Sequence, residues 1–139
     1  MIIGYKPQFP TKILAGIKKH TLREDRHDRW HAGMKMHQSA GVRTKKYKLL
    51  RLDTCTGTQK VIISIVDKSK NPDSYVCCKK INRKQVDRAF DVIVDNKKLR
   101  WRHIVMLAHN DGFDSADEFF KWFFDGFTGK IIHWTDLRY

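Results

Sequence analysis

The 139-residue chain fits one domain, and its 41% hydrophobic and 12% aromatic content excludes a disordered polymer and supports a core that needs no disulfide or metal staple. No apolar run approaches the roughly 18 residues of a transmembrane helix, which excludes helical membrane insertion. The 28 Lys and Arg against 15 Asp and Glu give a formal charge of +13, spread as −3 over residues 111–139 and +16 over residues 1–110, a field that attracts polyanions and raises their encounter rate.

Residues 1–6 read as an opening strand, with no basic flank and too few apolar residues for a signal peptide. Residues 9–16 read as a short helix, Pro10 in its first turn and Gly16 just past its end. Residues 23–31 are charged and read as a loop, which makes Trp30 the candidate for an exposed, stackable ring. Residues 33–38 alternate, with Met34 and Met36 on one face, and residues 39–47 form a strongly basic loop. Strands are expected at 47–52, at 60–66 (Val61, Ile63 and Ile65 alternating) and at 75–79, with a turn over 71–74. Asp95-Asn96 joins strands 89–94 and 97–101 as a hairpin. Within it Trp101, flanked by Lys97, Lys98, Arg100 and Arg102, is either a core ring or a stacking one.

A short helix is expected over 102–109. Ser115-Ala116-Asp117-Glu118 is a capping box, and Phe119, Phe120, Phe123 and Phe124 form the apolar stripe of the helix behind it. Gly126 or Gly129 ends that helix, and a strand at 130–134 closes the chain. Several short strands with a helix near each end predict a single α+β, barrel-like domain over residues 1–139. Cys55, Cys77 and Cys78 lack a Cys-x-x-Cys spacing, so free thiols, a cytoplasmic setting and no structural zinc are expected. His27 and His31 are four residues apart, but in a charged loop they make no convincing metal pair. No metal and no cofactor are called for, and no feature sets the oligomeric state.

The most informative stretch is Gly16-Ile17-Lys18-Lys19-His20-Thr21-Leu22-Arg23. Lys18 and Thr21 would face opposite ways in a regular strand, and they converge only if the chain turns between them. Thr21 and Arg23 share one strand face. The set offers an ammonium, a hydroxyl and a planar bidentate guanidinium to an anion or to a nucleobase with its phosphate. The plainer alternative is a solvated Lys18–Lys19 pair, with Arg23 neutralised locally by Glu24, Asp25 or Asp28. The loop cations Lys45 and Lys46 can track phosphates.

This stretch resembles the G-x-K-x-x-T-x-R signature of the ASCH family, with Gly16, Lys18, Thr21 and Arg23 at the signature positions. Asn110-Asp111-Gly112-Phe113 resembles that family's acidic-Gly-Phe element. The two elements and the helices beside them cover about a third of the chain. The resemblance implies a PUA-like β-barrel with short helices packed at its ends. Because such barrels commonly bind RNA, it implies RNA or a nucleotide as partner and no membrane. His20, inside the first element, would line the same cleft. As an alternative, some small ASCH proteins resemble amidohydrolases that deacetylate acetylated cytidine. That likeness implies Lys18 as nucleophile, with Thr21 and Asp111 completing the catalytic set. Here the chain departs from the pattern, carrying Asp111 where a glutamate is expected. A catalytic lysine must be neutral, and Lys19 and Arg23 would press its pKa down from about 10.4. Ribonuclease activity and protein interaction remain further alternatives.

Overall fold

A computed structural model describes residues 1–139. Twelve elements follow in chain order: β1 (Ile2–Tyr5), α1 (Pro10–Leu14), β2 (His20–Arg23), β3 (Lys35–Ala40), β4 (Lys48–Thr54), β5 (Gly57–Val66), β6 (Tyr75–Ile81), β7 (Lys84–Val94), β8 (Lys97–Lys98), α2 (Trp101–Asn110), α3 (Ala116–Trp122) and β9 (Phe127–His133). The class is mixed α+β and mostly sheet. The strands form a three-stranded sheet in the order β1-β3-β4 and a six-stranded sheet in the order β2-β9-β5-β7-β6, with β8 on β7. No pairing closes either sheet on itself, so the barrel expected from the resemblance does not arise from these ladders. No helix is long and apolar enough to cross a membrane.

The two sheets share one core. Val61 and Ile63 of β5, Phe90, Val92 and Val94 of β7, and Ile131 and Ile132 of β9 are fully or almost fully buried. Period-two alternation puts the first five on the inner face of the large sheet. Helix α3 covers that face. Ser115 Oγ accepts the Glu118 N–H at 3.2 Å, which caps its first turn. The Phe120 ring stacks between Tyr75 (centroids 4.8 Å apart) and Phe90 (4.9 Å).

Two tight hairpins set the register of β7. Asp95-Asn96, with φ of 48° and 66°, makes the expected two-residue turn. Asn82-Arg83 makes a second one, with φ of 51° and 66°, and extends β7 back to Lys84. Nothing in a sequence pair such as Asn-Arg flags that turn, because arginine is rarely left-handed.

Two sequence expectations are corrected here. The hairpin arm expected to reach Trp101 stops at Lys98, and Trp101 instead opens α2 with its ring 66% exposed. Trp122 is half-exposed. Trp30, expected to be exposed, is 7% exposed. Its burial has a local cause: the Asp25 carboxylate accepts the N–H groups of Arg29 (2.8 Å) and Trp30 (3.0 Å), turning this charged segment back onto the core. Cys55 and Cys77 are buried, Cys78 is exposed, and all three are free.

Candidate functional site

The end of α1 and the end of α2 bring the first side chains of the site together. Gly16 takes φ of +74°, a conformation that costs glycine little. The N–H groups of Ile17 and Lys18 then both reach the Lys12 carbonyl, at 2.9 and 3.1 Å. The Lys19 N–H bonds the Asn110 carbonyl at 2.7 Å, which lays Lys18 against the C-terminus of α2. Asp111 is the cap residue there. Gly112 follows with φ of +96°, and a Cβ on it would stand 3.0 Å from Phe9 Cδ1 and 3.2 Å from Lys18 Cδ. The lysine stem therefore occupies the space that any other residue at 112 would fill.

Lys18 is 2% exposed, and its Nζ donates to Asp111 Oδ1 at 3.0 Å and to the Asp111 carbonyl. The Phe9 and Tyr5 rings lie 4.7 and 5.6 Å from the same nitrogen. Burial pulls the Lys18 pKa below its ordinary value, and the Asp111 carboxylate opposes that shift. The cations adding to the fall are Arg23 and Lys12, not Lys19, whose side chain is exposed.

Strand β2 supplies Thr21 and Arg23 on one face, as residues two apart must be. Arg23 has none of the carboxylate partners that its neighbours suggest. Asp25 and Asp28 take Lys130, and Glu24 takes Arg26. Its Nη2 donates to the Gly4 carbonyl at 2.7 Å, its guanidinium lies 5.3 Å from the Tyr5 ring centre, and its Nε is buried without a partner.

These four side chains line one cleft of about 510 Å³, within the range of small-ligand sites. Its apolar walls are Tyr5, Phe9, Phe113, Trp122, Phe123 and Phe127, and Gly4, Lys6, Leu22, Glu24, Gly41 and Val42 complete the lining. Phe9, Phe113 and Trp122 meet edge to face, with centroids 5.5–5.8 Å apart. Two other hollows, of about 580 and 630 Å³, open on the large sheet near Asp25, Lys60 and Lys130 and near Arg26, Ile65 and Asp125. Size does not separate the three. Only the first joins a buried cation, a buried carboxylate, a guanidinium without a carboxylate partner and a wall of rings.

His20 is not a lining residue. It is fully buried one layer behind the cleft, since its neighbours in β2 alternate about it. Its Nδ1 lies 3.4 Å from Asp111 Oδ1 without hydrogen-bond alignment. Its Nε2 meets the Tyr139 hydroxyl at 2.7 Å, and that hydroxyl accepts from Asn110 Nδ2 at 3.0 Å. Behind it, His133 Nε2 bonds Gln59 Oε1 at 3.0 Å. This supporting layer carries no sequence motif, and only the polar residues at buried strand positions hint at it. Lys45 and Lys46 are exposed on the loop that follows β3 and do not line the cleft, although Gly41 and Val42 of that loop do. No group of three or more His, Cys, Asp or Glu side chains gathers as a metal set.

Comparison with protein-family models, with curated proteins and with solved structures gives no match. The functional reading therefore rests on the cleft itself.

Burial lowers the pKa of His20, and lowers that of His133 to about 3. Both rings are neutral in the fold but take up a proton near pH 6.5 once unfolded. For His133, between about 3 and 6.5, the unfolded chain holds more protons, and the lowered pKa of His20 acts in the same direction, so stability must fall as the pH drops below about 6.5. Each histidine contributes up to about 1.4 kcal/mol per pH unit. Urea midpoints measured from pH 7.5 down to 5.5, above the carboxylate range, should decline steadily. A flat profile would mean that the two rings are not held neutral.

Proposed function

We propose that the cleft recognises a nucleobase with its attached phosphate, as a nucleotide or within RNA, in the manner implied by the ASCH-like motifs. The observation that carries this reading is the convergence of Lys18, Thr21, Arg23 and Asp111 on one ring-walled cleft. Flat apolar walls suit a base, with stacking worth roughly 1–3 kcal/mol per base. Asp111 and Thr21 offer hydrogen-bond partners to its edge, and the Arg23 fork suits a phosphate. The net charge of +13 favours encounter with such ligands.

A second reading, amide hydrolysis on an acetylated cytidine-type nucleoside, is favoured by one observation. Lys18 is buried with a lowered pKa and donates to the Asp111 carboxylate at 3.0 Å. The lysine stem packs directly over Gly112, beside the aspartate that stands where the resemblance leads one to expect a glutamate.

The deciding experiment offers nucleosides, acetylated nucleosides and short RNAs to wild type and to Lys18→Ala. Binding without turnover that Lys18→Ala weakens supports recognition. Acetate release by wild type alone makes the protein a hydrolase. Neither binding nor release overturns both readings.

Lys45 and Lys46 have no carboxylate partner within ion-pair distance and stand a few residues from the cleft's Gly41–Val42 rim. Reversing both charges should weaken RNA binding at every sequence. The slope of log K against log salt should flatten by about 1.4, at roughly 0.7 per lost phosphate contact. An unchanged slope would remove the loop from the interface.

A further inference from the structure

Outside the cleft, the chain exposes a large ring where a ring is costly to expose. Trp101 stands in the first turn of α2 with 66% of its surface in water, the most exposed aromatic residue of the protein. It is not buried against the hairpin that precedes it, because pairing ends at Lys98 and Leu99 turns into the core. Around it in the chain are Lys97, Lys98, Arg100, Arg102 and His103, all exposed. Of these only Lys98 meets a carboxylate, Asp91 at 3.4 Å. The neighbouring acid, Asp95, is occupied by Gln59 Nε2 and the Lys60 N–H. Helix α2 contains no acidic residue, and its solvent side presents Trp101, Arg102, His103, Met106 and His109.

We infer that this solvent side of α2 is a contact surface for single-stranded nucleic acid, with Trp101 as the stacking ring and Arg100 and Arg102 as phosphate contacts. The charge selects a polyanion. A ring ringed by cations, with one methionine beside it, lacks the apolar surround that buries the centre of a protein interface. The stacking ring selects a single strand, since a duplex keeps its base faces stacked on one another.

The inference stands on an observation separate from the cleft. The two are joined by geometry, because α2 begins at Trp101 and its capping residue is Asp111. Ten residues at about 1.5 Å each place the ring about 15 Å from the cleft along the helix axis. A strand held at both would span a few nucleotides.

The test titrates a fluorescein-labelled short oligouridylate, and the same sequence as a duplex, into wild type, Trp101→Ala, Arg100→Gln with Arg102→Gln, and Lys18→Ala. Anisotropy is read at low and near-physiological salt, and circular dichroism confirms the fold of each variant. Trp101→Ala should lose about tenfold in affinity for the single strand, keep its salt slope and leave the duplex unaffected. The double arginine variant should flatten the slope by about 1.4. Wild-type affinity in Trp101→Ala, or an equal loss on duplex and single strand, overturns the inference. Weakening by Lys18→Ala alone would sink this surface and leave the cleft reading intact. Weakening by Trp101→Ala alone would do the reverse.

Discussion

Lys18→Met should destabilise the fold by about 3–5 kcal/mol and abolish ligand binding in the cleft, whereas Lys18→Met with Asp111→Asn should recover much of the stability and none of the binding. Lys18 and Asp111 are 2% and 3% exposed, and each is the other's only opposite charge within 4 Å save the neutral His20 beside Asp111. Removing the ammonium leaves a carboxylate buried without compensation, the situation that makes broken internal ion pairs so costly. Removing both charges relieves that penalty. Urea unfolding of the four proteins gives the coupling, which should exceed about 1.5 kcal/mol. Simple additivity would show that the pair is not an energetic unit. A double variant that is stable but does not bind would show that the charges are kept for the ligand.

Phe120→Ala is the second large effect, at about 3–5 kcal/mol. The ring is fully buried and stacked on both faces, within 24° of parallel to Tyr75 and 19° to Phe90. It fastens α3 to β6 and β7. Trp122 and Phe123, at the end of α3, are cleft walls, so the cavity should also slacken the site. Thermal melts and ligand titration together should show both losses. Trp122→Ala provides the contrast: its half-exposed ring should cost little stability yet weaken binding about as much. If Phe120→Ala lowers stability while binding remains at the wild-type level, the cleft does not depend on how α3 is seated.

The parts of this architecture that were readable from the sequence are those set by neighbouring residues. Val61 and Ile63 alternate into the core, Asp95-Asn96 supplies two left-handed residues for its turn, and Ser115 caps α3. Each depends on a few adjacent side chains. The failures are positions decided at a distance. Trp30 is buried because Asp25 folds its segment inward, and Trp101 leaves the hairpin because β8 stops pairing after Lys98. The candidate site was legible only in halves. Geometry allowed Lys18, Thr21 and Arg23 to converge beyond a turn, but no periodicity points from Lys18 to Asp111, 93 residues on. That link entered through the ASCH-like motifs alone. The layer of His20, Asn110, His133 and Tyr139 had no signal beyond polar residues at buried positions, because its members meet through the pairing of β2 with β9 and through the Tyr139 hydroxyl.

That pairing also governs when the site can exist. Thr21 of β2 lies opposite Ile132 of β9, so the ladder closes a loop of more than a hundred residues. Loop closure must precede the contacts that reward it, and topologies dominated by such distant pairings fold slowly, over milliseconds to seconds. Until β9 arrives, β2 is an unpaired edge, because β9 is its only partner in the sheet. The placing of Thr21 and Arg23 in the cleft thus waits on the last strand. As the chain leaves the ribosome at roughly 5–20 residues per second, several seconds separate the synthesis of Thr21 and Arg23 from that of the strand that pairs with them.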